Sequence, residues 1–149
     1  MRGVREERRL EVDDVAEAVA ERLSRQQYLR THRRFVFLIE EAVLWYRMFA
    51  PEVHREQLLH LEAVTRGAFS QVTLGVILQR ADRGGYRVRE SFEIIDDGVV
   101  AIELLSGYLR LTHPDEVAMY REAWRRLHAL AVVGGQARAL IAAARQSLG

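Results

Sequence analysis

The chain has 149 residues, 49% of them hydrophobic and 29% charged, with 10 Gly and 2 Pro. That balance excludes a disordered, collagen-like or low-complexity polymer and suits one ordinary domain, here residues 1–149, with a single core. The 22 basic residues nearly cancel the 21 acidic ones, so no bulk field holds the chain on nucleic acid or an anionic membrane. The absence of Cys removes disulfides, thiolate nucleophiles and sulfur-ligated metal sites, and the absence of Lys removes Schiff-base chemistry and a Gly-Lys-Ser phosphate loop. The opening Met1-Arg2-Gly3-Val4-Arg5-Glu6-Glu7-Arg8-Arg9 is too charged for a signal peptide. No apolar run approaches the roughly 18 residues of a membrane span, and a soluble, cytoplasmic protein is expected.

After a flexible arm over residues 1–10, Val12, Val15, Ala16, Val19 and Leu23 recur at three- and four-residue spacing and predict an amphipathic helix from about Glu11 to Leu29. Asp13 and Asp14 in its first turn and Arg22 and Arg25 near its end complement the helix dipole. Phe35-Val36-Phe37-Leu38-Ile39 is too short for a helix and reads as a buried strand. The following Glu40 to Tyr46 fits strand and helix equally. Pro51 suits the first position of a helix whose broad apolar face carries Val53, Leu58, Leu59, Leu61 and Val64 through about Gly67. Val72 to Leu78 is β-branched and apolar, a strand, and Ala81-Asp82-Arg83-Gly84-Gly85 is turn punctuation. Asp96-Asp97-Gly98 separates two apolar runs, Ser91 to Ile95 and Val99 to Leu105, and predicts a hairpin. Pro114 opens a long helix with Val117, Tyr120, Trp124, Leu127 and Ala131 on one side, ended or bent by Gly134-Gly135. Gln136 to Leu148 forms a last helix. The expected fold class is α+β, an antiparallel sheet of about four strands packed with four helices.

His54 and His60 point about 240° apart on a helix, and Glu56 stands about 200° from His54, so neither pair makes a metal site. Such histidines are expected on the exposed surface, and His32, His113 and His128 read as structural. No Gly-x-Ser-x-Gly elbow and no Gly-x-Gly-x-x-Gly loop occurs, and neither metal nor cofactor is expected. Carboxylates inside apolar runs are more informative, because a buried carboxylate needs a partner or a raised pKa. Glu40, Glu41, Glu93 and Glu103 hold such positions. Glu103 shares a strand face with Val99, Ala101 and Leu105, which is either a polar pocket or the solvent side of a half-covered sheet, with an Arg ion pair as a further option. Glu40 with Trp45, Tyr46 and Arg47 forms the candidate ligand-binding group, since amphipathic aromatics and Arg favour recognition surfaces. Arg30, Arg33 and Arg34 around His32 form a basic cluster suited to ion pairing or, more weakly, to phosphate.

Several segments, in their order, carry a resemblance: Arg22-Leu23-Ser24-Arg25-Gln26, Ile39-Glu40-Glu41-Ala42-Val43-Leu44, Arg55-Glu56-Gln57-Leu58-Leu59-His60-Leu61, Val72 to Leu78, Phe92-Glu93-Ile94-Ile95, Ile102-Glu103 and Tyr120 to Leu127. From about Glu21 to Ser147 the chain resembles the C-terminal domain of unknown function in antitoxin-like helix-turn-helix transcription regulators of actinobacteria. Glu41 and Glu103 fit that pattern themselves and so signal no new activity. Family members carry an N-terminal helix-turn-helix and a Pro-Gly-Leu-Leu-Gln-Thr type motif, and neither stands before Arg22, so nucleic-acid binding by this chain alone is not expected. The resemblance implies a sensor or partner-binding module and transfers no catalytic residues.

Two functions follow as expectations. The first is a stand-alone regulatory domain, homodimeric in one form, that binds a metabolite or a small neighbouring protein. The second is a small cofactor-free enzyme of specialised metabolism, a cyclase or isomerase, with Glu103 and Glu41 as acid-base groups and Tyr108 or Tyr46 orienting the substrate.

Overall fold

A computed structural model describes residues 33–87 and 89–149, together with the helical positions Ala20 and Ser24. The expected arm over residues 1–10, the rest of the expected helix from Glu11 to Leu29, and Arg30 and His32 of the basic cluster lie outside the described residues. The architecture is α+β, with two three-stranded sheets in place of one sheet of four strands, and with three helices among the described residues besides the helical positions Ala20 and Ser24.

The first sheet begins with β1 (Phe35–Glu40), which leads through a short 3₁₀ turn (Glu41–Trp45) into α1 (Pro51–Thr65) and then β2 (Val72–Ile77). Strand, helix and strand make a crossover unit, so β1 and β2 pair in parallel from Phe35↔Val72 to Glu40↔Ile77. The expected antiparallel arrangement is corrected here: a 15-residue helix between two strands returns the chain to the same end of the sheet. β1 is also an edge strand and not a buried one, with Val36 and Phe37 exposed, because β2 is its one partner among the described strands.

β6 (Ala131–Val133) completes this sheet antiparallel to β2, with Gly75 opposite Val133 and Ile77 opposite Ala131. It lies where the long helix was expected to continue. That helix, α2 (Pro114–Leu130), instead stops at Leu130, and Gly134 at φ +59° turns the chain into α3 (Gly134–Gln146). Gly75 sits in the middle strand, where a Cβ would stand 2.8 Å from Leu38 Cδ2 and 3.1 Å from Ala131 Cβ. The leucine end can shift but the alanine Cβ cannot, so Gly75→Val is expected to cost about 1–3 kcal/mol by chemical denaturation, and Gly75→Ala less.

α1 and α3 pack on one face of the sheet. Leu58 and Val64 of α1 meet Leu74 and Val76 of β2 and Ala137, Ile141 and Ala144 of α3, with Leu44 of the 3₁₀ turn in the same cluster. The buried stripe of α1 runs through His54, Leu58, Glu62 and Val64, whereas Val53 and Leu59 are exposed. His54, expected on the surface, is thus 8% exposed, with Nδ1 lacking a partner among the described residues. His60 stays exposed and tilts against Phe69 at 6.0 Å. The most buried charge among the described residues is Glu62, 2% exposed. It accepts from Arg145 Nε at 2.6 Å and Arg66 Nη2 at 3.2 Å, which joins α1 to α3.

The second sheet is the antiparallel meander β3 (Glu93–Ile95), β4 (Val99–Leu104) and β5 (Gly107–Leu111). The hairpin falls where expected, shifted by one residue: Asp96 and Asp97, at φ +48° and +57°, are the central turn residues, and Gly98 N–H donates to Ile95 O at 3.1 Å. Val100 and Ile102 face Val117 of α2, flanked by Phe92, Ile94, Leu111 and Tyr120. α2 contacts β2 as well as β3 and β4, and so links the two sheets.

Tyr120 meets Phe92 edge-on at 5.0 Å and donates its hydroxyl to Glu90 Oε1 at 2.6 Å. That bond, reinforced by burial and the negative charge of Glu90, pushes its pKa from 10.0 up to about 12. Because the folded chain keeps this proton while the unfolded chain releases it near pH 10, the associated stability is complete below pH 10 and is lost as pH rises through about 12. In an alkaline absorbance titration of the native protein, Tyr120→Phe is expected to remove the phenol that ionises near pH 12. Retention of that phase in the variant assigns it to another tyrosine.

Candidate functional site

In open parallel sheets, ligands bind outside the carboxyl ends of the strands where neighbouring connections leave to opposite faces. Here β1 delivers Glu40 and Glu41 to that end, and β2 delivers Leu78, Gln79, Arg80 and the turn carrying Arg83. A cleft of about 580 Å³ opens between them, lined by Glu41, Leu78, Gln79, Arg80 and Leu140, the last from α3.

Two interactions position this end. Glu41 Oε2 accepts the backbone N–H of Gln79 at 2.9 Å, fixing the carboxylate against the chain that leaves β2. Glu40 pairs bidentately with Arg83, Nη1 to Oε1 at 2.9 Å and Nη2 to Oε2 at 2.5 Å. The hydrogen bond it donates to Glu40 raises the pKa of the Arg83 guanidinium above its ordinary value. The turn expected at Ala81 to Gly85 provides this reach. Gly84 and Gly85 take φ +53° and +80°, Gly84 N–H donates to Asp82 Oδ1 at 2.9 Å, and Arg83 is carried back toward β1.

Of the sequence-derived candidates, Glu40 and Glu41 come together at this end of the sheet, with Glu40 engaged by Arg83 and Glu41 facing the cleft. Trp45 closes the 3₁₀ turn, and Tyr46 and Arg47 follow it on the surface. They begin an exposed run that continues through Met48, 74% exposed, and Phe49, 66% exposed. Glu103 and Tyr108 are exposed on the second sheet, directly opposite each other on β4 and β5. Glu41, in the turn that follows β1 of the first sheet, is therefore not on the sheet that carries that pair. Glu93 is exposed as well.

Gln79, Arg80 and Arg83 escaped the sequence reading. Their signal was the order strand, helix, strand over residues 35–78, which implies a parallel pair whose carboxyl ends lie just beyond Glu40 and Ile77. Among the described residues, no group of three or more His, Asp or Glu side chains could hold a metal ion, and no helix is long and apolar enough to cross a membrane.

The arrangement defines an α+β domain with an open polar cleft at the carboxyl ends of a parallel strand pair. The chain belongs to DUF5753, a family described as a domain of unknown function, which it matches over residues 1–143. No match to a curated protein or to a solved structure accompanies it.

Proposed function

We propose that this chain is a regulatory domain that works by binding, of the kind carried by antitoxin-like helix-turn-helix regulators of actinobacteria, and that its ligand site is the cleft of Glu41, Leu78, Gln79, Arg80 and Leu140. The observation that carries this reading is the Glu41 carboxylate, fixed by the Gln79 N–H, set with Arg80 and the apolar Leu78 and Leu140 around one crevice at the strand ends. Glu40 is held by Arg83 at the same strand end, and Trp45, Tyr46 and Arg47 follow it in the chain as exposed residues.

The cofactor-free cyclase or isomerase is the second reading, favoured by the register that sets Glu103 opposite Tyr108. Acid-base catalysis by a carboxylate at neutral pH draws on desolvation to raise its pKa. Both residues are exposed, and the binding function therefore stands first. Loss of turnover of any found substrate in Glu103→Gln would reverse that choice.

The test is a thermal-shift screen of the purified chain against metabolites and against the product of the adjacent gene. A ligand at about 100 times its Kd adds about 2.7 kcal/mol to stability. Stabilisation by a metabolite, reduced in Arg80→Gln, supports the reading. Stabilisation by the protein partner alone moves the function to an interaction surface, and a flat response to both overturns it.

A further inference from the structure

The cleft holds two opposite charges that form no ion pair with each other. Glu41 Oε2 takes the Gln79 N–H, and the carboxylate has no cationic partner among the described residues. Arg80 is exposed and likewise has no ion-pair or hydrogen-bond partner among them. The neighbouring pair behaves differently, since Glu40 and Arg83 satisfy each other through both oxygens and both terminal nitrogens. Leu78 and Leu140 add an apolar surface to the same cleft.

A simple anion drawn to Arg80 would meet the fixed carboxylate of Glu41, and a simple cation drawn to Glu41 would meet Arg80. A ligand carrying both charges satisfies both walls, and a planar guanidinium is suited to a carboxylate. Resting on the ligand-binding reading above, we propose that the cleft takes a small zwitterion with an apolar side chain, the chemistry of a free α-amino acid. Its ammonium pairs with Glu41, its carboxylate with Arg80, and its side chain lies on Leu78 and Leu140.

Calorimetric titration of the full chain with leucine, leucinamide and N-acetyl-leucine separates the two charges. Leucine is expected to bind about tenfold to a hundredfold more tightly than either analogue, because each lacks one charge-assisted contact. Arg80→Gln is expected to erase the preference for leucine over leucinamide and keep the preference over N-acetyl-leucine, and Glu41→Gln to do the reverse. The comparison on the unmodified chain decides the matter even if a variant folds poorly. Equal binding of leucine and leucinamide overturns the proposal, as does no binding of leucine, valine, methionine or phenylalanine at millimolar concentration. If amino acids are silent while another metabolite stabilises the chain, the zwitterion assignment fails and the regulatory reading stands. If every metabolite and the partner are silent, both fail.

Discussion

Ile141→Ala is expected to lower the free energy of unfolding by about 3–4 kcal/mol, the cost of removing a large aliphatic side chain from a site that cannot collapse. Ile141 is fully buried in α3, in one cluster with Leu58 of α1 and Val76 of β2. Helices on one side and the central strand on the other limit how far the surroundings can relax. Denaturant unfolding followed by far-ultraviolet circular dichroism measures this directly, and the midpoint should fall with the slope unchanged. A loss below about 1 kcal/mol would mean that α1 and α3 close the gap and that their packing is looser than the burial implies.

Arg145→Met is expected to cost about 3 kcal/mol, because the change strands the Glu62 carboxylate where it is 2% exposed. Arg66 remains at 3.2 Å, but it sits on the solvent side, with its side chain 58% exposed, and holds only the other oxygen. For a chain of this size the loss corresponds to a fall in Tm of roughly 6–12 °C. The double variant Glu62→Met with Arg145→Met should recover most of it, since an apolar pair of similar volume replaces the ion pair without leaving a buried charge. If the double variant is no more stable than the single one, the carboxylate was not the source of the penalty.

These two effects concern groups that the sequence disclosed unequally. Ile141 lies in an Ala- and Leu-rich stretch whose spacing announces a helix with one buried face. Glu62 lies amid polar and apolar neighbours on α1, with no local sign that it, and not the exposed Glu93 or Glu103, is the carboxylate removed from water. A strand alternation marks which residues share a face. It cannot mark which face another element covers, and Glu103 on β4 is the example.

The elements themselves were legible wherever chemistry is local. Pro51 and Pro114 mark helix starts because proline fits the first helical position, and both stand at the first residue of α1 and α2. The β-branched run Val72 to Ile77 and the Asp96-Asp97-Gly98 turn likewise report backbone preferences carried by the residues themselves. β5 was missed although Tyr108-Leu109-Arg110-Leu111 alternates, since its signal is only a few residues long. β6 had no signal: Ala131-Val132-Val133 continues a helical pattern as readily as it forms a strand.

By itself, then, the sequence determined the α+β class, most of the element boundaries and the family resemblance, all of which follow from short-range steric and hydrophobic preferences. Tertiary structure alone decided that β1 and β2 run parallel, that Ala131–Val133 leaves the helix to pair with β2, that His54 and Glu62 are buried, and that Glu41 and Arg80 share a cleft. These outcomes depend on pairings between residues far apart in the chain. The free energy of such a contact belongs to two segments at once and cannot be read from either one.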